Sequence, residues 1–253
     1  DFRALLQVPH VMTDQIQRDV ERSITHFTMT QRWKRQRQQN KRDKLRDIIN
    51  AIIRKHDLVL HYYQGYHDVV STLLLVTGDD QLSYLLAERV GAYFFRRVFD
   101  SAVQDSMREN FTCLSYLLHL VPVLIEFNDK ELSQFIAASK VEPYYCMAWI
   151  LTWFSHDLSD LNTVARIFDV LLGGHPALAI YVAAAVVIES REEVLGCSCD
   201  FAAMHNCLSH CPKGIEDWEA VLLRARRMFL ECSPRELVSK APGYVRSPLD
   251  AGG

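Results

Sequence analysis

Two short motifs in the chain carry side chains suited to chemistry. The first is Ile16-x-x-Asp19-x-x-Arg22, and the second, forty positions after Arg22, begins Tyr62-Tyr63-Gln64-Gly65. An arginine offers a planar cationic fork for charge on phosphate oxygens, and a glutamine can orient an attacking water molecule. Both are side-chain types that phosphoryl transfer uses, so these two motifs are the first candidates for a functional site.

A helix is predicted to position the first motif. Apolar residues recur at helical spacing in one narrow stripe: Ile16, Val20, Ile24 and Phe27. At 100° per residue, Asp19 lies roughly 95° from the centre of that stripe and Arg22 about 155° from it. Arg22 is therefore predicted to face solvent, with Asp19 on the flank at a spacing that suits an ion pair. Arg18 shares the solvent face, and the helical wheel does not distinguish it from Arg22.

The second motif follows a predicted long helix that ends near His56. The stripe that predicts this helix consists of Leu45, Ile48, Ile49, Ile52 and Ile53. Residues 58–65 then form a connection with Gly65 as its pivot, because glycine tolerates positive φ and close backbone approach. Gln64 is predicted at the tip of this loop, before a helix that carries Val69, Val70, Leu73 and Leu74.

Helical periodicity continues along the chain and predicts an all-α fold of about twelve helices. Asp160 is placed to begin one helix and Gly173-Gly174 to end it, and Pro176 opens the next, over 177–189. A further stripe lies near the end, at Trp218, Val221, Leu222, Ala225 and Phe229. Runs that alternate at period two are missing. We expect one domain over residues 1–238 and a disordered tail over 239–253.

Composition excludes several functional classes. The chain has 253 residues, 49% hydrophobic residues and a net charge of −3, which is typical of a globular domain and argues against nucleic-acid binding. Seven scattered cysteines favour reduced thiols in the cytosol. The longest apolar stretch, 177–188, is too short to span a membrane, and no signal peptide pattern begins the chain.

Together, in this order and spacing, the two motifs resemble the two signatures of the TBC-domain family, the GTPase-activating proteins of Rab GTPases. The matching residues are Ile16, Asp19 and Arg22 in the first signature and Tyr62-Tyr63-Gln64-Gly65 in the second. The resemblance covers residues 5–235 and implies the irregular helical bundle of a TBC domain. It also selects Arg22 rather than Arg18.

The resemblance implies that Arg22 and Gln64 are arginine and glutamine fingers, supplied in trans to a Rab-family GTPase in its GTP-bound state. An arginine finger raises hydrolysis by about 10³–10⁵-fold. The supporting or GTPase-binding positions are Ile16, Asp19, Tyr62, Tyr63, Gly65, Tyr66 and Asp68. The chain is then an activator rather than an enzyme. It needs no cofactor or metal of its own, because the magnesium and GTP belong to the GTPase.

The second motif departs from the usual family pattern. The family usually continues Gln-Gly-Met-Asn, whereas Tyr66-His67-Asp68 follows Gly65 here. The string Tyr-Tyr-Gln-Gly-Tyr-His-Asp-Val-Val resembles a branch that acts on the Rab of the endoplasmic-reticulum-to-Golgi step. We therefore expect a cytoplasmic location, at the surface of the endoplasmic reticulum or Golgi. Members of that branch carry a membrane anchor downstream, and none is expected within these residues. The usual Arg-x-x-x-Trp opening is not recognisable before Leu5-Leu6.

A third family element is present further along the chain. It consists of Trp149 and Trp153-Phe154, followed by Arg166-Ile167-Phe168-Asp169. Arg166 and Asp169 are three positions apart beside an apolar face, and we interpret them as a structural pair.

Two other patterns in the sequence have simple structural interpretations. Cysteines and histidines crowd into 197–211, but their spacing is not that of a zinc site, and a buried helix explains them better. Between Arg32 and Arg46 there are eight Lys or Arg residues against one acid, Asp43. This run is interpreted as a solvated face, with contact to an acidic GTPase surface or to anionic lipid as alternatives.

Three functional hypotheses remain open from the sequence. The first is the dual-finger activator, and it is favoured because both candidate fingers are present. The second is a catalytically silent Rab-binding module, and the third is a helical scaffold with no link to a GTPase. Phosphate-binding G-x-x-x-x-G-K-[ST] is absent from the sequence, which fits an activator that has no nucleotide site of its own.

Overall fold

The computed structural model describes residues 2–7, 10–56, 60–95 and 107–240. Within these ranges the chain is helical and has no strand, which confirms the predicted all-α fold. The α-helices there, numbered in chain order, are α1 Thr13–Arg22, α2 Thr28–Gln31, α3 Arg35–Lys55, α4 Tyr66–Thr77, α5 Asp80–Tyr93, α6 Met107–Asn128, α7 Lys130–Ala138, α8 Met147–Thr152, α9 Leu161–Leu172, α10 Leu178–Glu189, α11 Arg191–Leu195, α12 Phe201–Gly214, α13 Trp218–Glu231 and α14 Pro234–Lys240. Short helices such as α2 and α11 raise the number above the predicted twelve. None of the described helices is long and apolar enough to cross a membrane.

The chain forms two compact units. The first comprises residues 1–114 and 147–176, and the second comprises 115–146 and 177–253. Both sequence motifs lie in the first unit. The predicted tail is untested, because residues 241–253 lie outside the described ranges.

Helix α3 is the centre of the first unit. It contacts α1, α4, α5 and the 3₁₀ segment Phe2–Gln7. The predicted apolar stripe is fully buried along it, apart from a 3% exposed Ile53. Each such side chain contributes about 1.5–3 kcal/mol when it leaves water. The helix ends at Lys55, close to the predicted end at His56.

Helix α1 is shorter than its apolar stripe predicted, and this prediction was wrong. All four stripe residues are buried, but the helix ends at Arg22, Ser23 is extended, and Ile24 has φ +74°. Two contacts fix this end: the Ser23 hydroxyl donates to the Val20 carbonyl at 2.7 Å, and the Arg42 guanidinium donates to the Ser23 carbonyl at 3.3 Å. Arg22 is therefore the last residue of α1, where a cation is favoured by the helix dipole.

An aromatic cluster holds strained backbone beside the second motif. Trp153 has φ +50° and Phe154 has φ +65°, values that cost bulky residues about 1–3 kcal/mol each. The Trp153 ring lies 5.0 Å from Phe94, 5.3 Å from Phe95 and 5.1 Å from Phe168, measured between ring centroids. This packing stabilises the end of α8, which contacts the turn at Gly65.

Helix α9 confirms the predicted start and stop signals. The Asp160 carboxylate accepts a hydrogen bond from the Thr163 backbone nitrogen at 2.9 Å, as an N-cap residue does. The helix ends at Leu172, directly before Gly173-Gly174. Arg166 and Asp169 both lie on its exposed side.

The second unit is built around α10. Residues Leu178–Ile188 are buried without interruption, and α10 packs on α13, where the Tyr181 hydroxyl donates to the Cys232 carbonyl at 2.8 Å. The cysteine- and histidine-rich segment lies mostly in α12, with Met204 and Leu208 fully buried. Among the described residues, no group of three or more His, Cys, Asp or Glu side chains is arranged to hold a metal.

Candidate functional site

Arg22 stands at the C-terminal end of α1 with 69% of its side chain exposed. Its Nη2 atom donates to Oδ1 of Asp19 at 2.7 Å, one turn back along the helix. The guanidinium is thus held in one direction while its remaining donors face solvent. This geometry suits a cation that must enter the site of another molecule, because the side chain is ordered before it binds.

Asp19 is buried, with 1% of its surface exposed, although the helical wheel placed it on the flank. Tyr62 supplies the missing cover, since its hydroxyl donates to Oδ2 of Asp19 at 2.8 Å, and Gln15 donates to the same oxygen at 3.0 Å. Burial alone would raise the pKa of Asp19. Hydrogen bonds from Gln15 and Tyr62, the charge of His67 and the Arg22 contact outweigh burial and lower the pKa of Asp19 below 3.8. Asp19 is therefore an anion at neutral pH.

Tyr62 joins the two motifs. Its ring is 4% exposed, and burial together with the neighbouring Asp19 carboxylate holds the pKa of Tyr62 above its usual value of 10.0. The hydroxyl therefore keeps its proton and remains a donor to Asp19. Gln64 lies only two positions after Tyr62. The hydrogen bonds from Tyr62 and from Arg22 to Asp19 therefore link the turn that carries Gln64 to Arg22.

Gln64 is exposed at the turn between Tyr63 and α4, as the sequence predicted. Gly65 follows it with φ +113°, a backbone conformation that L side chains rarely adopt. The turn is closed by backbone hydrogen bonds from Tyr66 to Tyr63 at 3.2 Å and from Asp68 to Gly65 at 3.0 Å. A Cβ atom at Gly65 would meet Cγ2 of Thr152 at 3.0 Å, so the turn is also tightly packed.

We expect Gly65→Ala to lower the free energy of unfolding by about 2–3 kcal/mol, because it adds both backbone strain and a collision with Thr152. Gly78→Ala is the matched control, since Gly78 has φ +69° but no atom within 4 Å of a built Cβ. It should lose only about 1–2 kcal/mol, from backbone strain alone. Thermal and urea unfolding measure both variants. Equal losses would show that packing against Thr152 does not constrain the turn.

Two histidines also belong to this network, and the sequence motifs predicted a role for neither of them. Nδ1 of His67 lies 3.0 Å from the Tyr62 hydroxyl and 3.4 Å from the Gly65 backbone nitrogen. The Asp68 carboxylate, 3% exposed, lies 3.4 Å from Nε2 of His67 and 3.1 Å from Nδ1 of His156. A role for His67 could have been predicted locally, because this residue lies two positions after Gly65. No local feature of the sequence indicates His156, because it is 88 positions from Asp68.

The other candidate residues of the two motifs are anchored within the fold. Ile16 and Tyr66 are fully buried, and the Tyr66 hydroxyl donates to the Ala87 carbonyl at 2.7 Å. Tyr63 is half-buried and its hydroxyl donates to the Leu151 carbonyl at 2.7 Å. Burial raises the pKa of Tyr63 and of Tyr66 well above 10.0, so both hydroxyls remain donors. These residues position the backbone of the motifs.

The chain matches a known protein family over most of its length. The Rab-GTPase-TBC domain family matches residues 4–195, which include both motifs. The chain belongs to this family. Its two motifs therefore coincide with the part of the chain that defines a TBC domain.

Curated relatives share the sequence over most of this TBC domain. TBC1 domain family member 20 of Homo sapiens is 34% identical over 237 residues, which are 94% of this chain and 56% of that protein. GTPase-activating protein gyp10 of Schizosaccharomyces pombe is 27% identical over 216 residues, 84% of this chain and 54% of that protein. The chain thus spans about half the length of these curated relatives.

Solved structures show the same fold. A flagellar RabGAP TBC domain of Chlamydomonas superposes with a TM-score of 0.65 at 16% identity, over 88% of this chain and 69% of that one. The Ypt/Rab-GAP domain of Gyp1p gives a TM-score of 0.64 at 14% identity, over 91% of this chain and 77% of that one. At this identity the likeness concerns the fold.

Arg18, which the helical wheel did not distinguish from Arg22, has a different environment in the TBC domain. Its Nη2 atom donates to Oε1 of Gln15 at 2.8 Å, and the side chain is exposed. Arg22 contacts the buried Asp19 that joins Tyr62, whereas Arg18 contacts a neutral amide. The more strongly ordered cation is therefore Arg22.

Proposed function

We propose that this TBC domain accelerates GTP hydrolysis by a Rab-family GTPase, to which it supplies Arg22 and Gln64 in trans. The observation that carries the proposal is the exposed Arg22 guanidinium, ordered by a buried Asp19 that Tyr62 joins to the Gln64 turn. Family membership supports a GTPase as the partner. The proposed partner state is GTP-bound, because the fingers act on the γ-phosphate.

Arg22 is assigned the stabilisation of negative charge that develops on the β- and γ-phosphates during hydrolysis. A preorganised donor is worth more than a mobile one, because no reorganisation is needed when the charge forms. The 2.7 Å contact with Asp19 uses one Nη2 donor and leaves the outer edge of the guanidinium for the phosphates. Asp19 and Tyr62 are positioning residues in this proposal.

Gln64 is assigned the orientation of the attacking water. Its side chain is exposed on a turn that Gly65, Tyr63 and Tyr66 fix from within. A rigid turn matters because misplacement of a reacting group by about 1 Å lowers the rate about 10²-fold. The magnesium and GTP belong to the GTPase, so the TBC domain acts as an activator without a nucleotide site of its own.

A panel of Rab GTPases, each loaded with GTP and mixed with the TBC domain, tests the proposal. We expect single-turnover hydrolysis to accelerate strongly for a subset of the panel, including the Rab of the endoplasmic-reticulum-to-Golgi step that the second motif suggests. That partner would place the domain at the surface of the endoplasmic reticulum or Golgi. GTP-dependent binding without acceleration would instead support a silent binding module.

We expect Tyr62→Phe to lower stimulated hydrolysis roughly tenfold, equivalent to about 1.4 kcal/mol of transition-state stabilisation. The variant removes one donor from the buried Asp19 and with it the bond between the two motifs. Tyr181→Phe is the matched control, because its buried hydroxyl also donates at 2.8 Å but lies in the second unit. Both variants should lose similar stability, and only Tyr62→Phe should lose rate. A normal rate in Tyr62→Phe would remove the hydroxyl from the proposed mechanism.

A further inference from the structure

The start of α3 and the segment before it form a basic projection, defined by Met29, Arg32, Trp33, Lys34, Arg35 and Arg37. Its four cations are exposed, and Met29 is 48% exposed. Among the described residues, Arg32, Lys34 and Arg35 make no ion pair. The basic run that the sequence showed therefore contains three cations that form no ion pair with the described part of the chain.

The cations further along α3 differ, because the fold uses them. Lys41 donates to the Leu74 carbonyl at 3.4 Å, and Arg42 donates to the Ser23 carbonyl at 3.3 Å. Lys44 pairs with Asp80 at 2.9 Å, and Arg46 pairs with Asp43 and Asp47 at 3.0 Å each. The basic run thus has two parts. The cations from Lys41 to Arg46 make contacts within the fold, whereas Arg32, Lys34 and Arg35 form no ion pair with the described residues.

The basic projection is also unfavourable for the helix that carries it. The positive end of a helix dipole favours acids in the first turn, at about 0.3–1 kcal/mol each. Helix α3 has no acid in its first turn, and its N-cap residue Lys34 makes no side-chain capping bond. Folding alone would favour Asp or Ser here. The stability of α3 therefore does not account for these cations.

One member of the basic projection is ordered in advance. The Arg37 guanidinium lies 3.8 Å from the centroid of the Trp33 ring, a cation–π contact. Gln38 donates to the Thr30 carbonyl at 3.1 Å and ties α3 to α2. An ordered cation loses less conformational entropy when it meets a partner.

Helix α3 links the basic projection to the end of α1 that carries Arg22. Arg42 contacts Ser23, the residue after Arg22, and Arg35 lies seven residues earlier on the same helix, a rise of about 10 Å. A partner that covers about 800 Å² of this surface has a footprint with a radius of roughly 16 Å. A partner of this size that contacts Arg22 and extends along α3 toward its first residues therefore also meets the basic projection.

We propose that the basic projection binds an acidic surface on the GTPase at the rim of the contact and speeds association. This inference rests on the proposed function. The chain has a net charge of −3, so attraction to an acidic partner has to come from this local patch. Anionic lipid is the weaker candidate, because the apolar members of the basic projection are Met29 and a half-buried Trp33 that Arg37 covers.

The test is the triple variant Arg32→Glu/Lys34→Glu/Arg35→Glu. With a GTPase that the wild type stimulates, we expect kcat/KM to fall at least about tenfold at low salt while kcat is unchanged. The loss should shrink as salt rises, because exposed charges are screened. The melting temperature should be unchanged or higher, since acids suit the start of α3.

Lys213→Glu/Arg226→Glu/Arg227→Glu is the matched control, with the same charge change on exposed residues of the second unit. It should retain the wild-type kcat/KM and salt dependence. Equal kcat/KM in wild type and the basic-projection variant, or an equal loss in the control, would overturn the inference.

Two further readouts separate the alternatives. Sedimentation with vesicles of phosphatidylserine and phosphatidylcholine should show no binding that depends on Arg32, Lys34 and Arg35. Binding of that kind with unchanged kcat/KM would overturn the inference in favour of lipid.

Should the wild type bind a GTP-loaded Rab without accelerating hydrolysis, the proposed function fails alone, and the salt dependence of Kd then decides the role of the basic projection. If the wild type neither binds nor stimulates any Rab, both proposals fail.

Discussion

Arg22→Ala is expected to reduce stimulated GTP hydrolysis about 10³–10⁵-fold, equivalent to roughly 4–7 kcal/mol. The physical reason is the loss of an exposed cation that a buried carboxylate orders. Single-turnover hydrolysis at saturating TBC domain measures the effect. Arg22→Lys should be nearly as damaging, because an ammonium has no planar fork with which to hold Asp19 and a phosphate together.

The fold should survive the loss of Arg22. The guanidinium is 69% exposed, so its ion pair contributes about 1 kcal/mol or less, and Gln15 and Tyr62 still donate to Asp19. The melting temperature should therefore fall by only about 2–4 °C. Arg18→Ala is the matched control on the same face of α1, and it should keep the full rate. A larger loss in Arg18→Ala than in Arg22→Ala would show that the finger has been placed on the wrong arginine.

Features governed by neighbouring residues were predictable from the sequence. The α3 stripe, the Asp160 cap and the positive φ of Gly65 each follow from a few adjacent residues. The exposure of Gln64 follows in turn from its place before Gly65. Local propensity and tertiary structure agree at these positions, so reading the pattern is sufficient.

Features governed by distant residues were not predictable. Helix α1 stops at Arg22 although the apolar stripe continues beyond it, because Arg42, nineteen positions after Ser23, donates a hydrogen bond to the Ser23 carbonyl. Asp19 is buried because Tyr62, 43 positions away, covers it. A helical wheel contains only one helix, so it cannot show what packs on the flank. His156 reaches Asp68 for the same kind of reason.

Strained backbone is a further feature that only the structure reveals. Ile24, two residues after Arg22, has φ +74°, and Trp153-Phe154 follow the Thr152 that packs on Gly65. A positive φ is unfavourable by about 1–3 kcal/mol for a β-branched or an aromatic residue. Both candidate fingers thus lie beside strained segments that packing holds in place. These segments help to position Arg22 and Gln64. No residue preference in the sequence indicates the strained segments.

Gln64→Ala is expected to reduce stimulated hydrolysis about 10²–10³-fold, the usual effect of removing one preorganised hydrogen-bonding group from a transition state. The Gln64 side chain is exposed and forms no hydrogen bond or ion pair with the described residues, so the melting temperature should not change. Gln134→Ala, an exposed glutamine of the second unit, is the matched control and should keep the full rate.

The role of Gln64 is resolved by combining it with the catalytic glutamine of the GTPase itself. Four pairs are measured in single-turnover hydrolysis, with each protein carrying its glutamine or an alanine. If Gln64 orients the water, replacing the GTPase glutamine should matter little as long as Gln64 is present, because one amide is sufficient for the task. Loss of Gln64 should then be severe on either GTPase background. Normal stimulation by the Gln64→Ala domain, together with an indispensable GTPase glutamine, would reduce Tyr62-Tyr63-Gln64-Gly65 to a packing turn and leave Arg22 as a single finger.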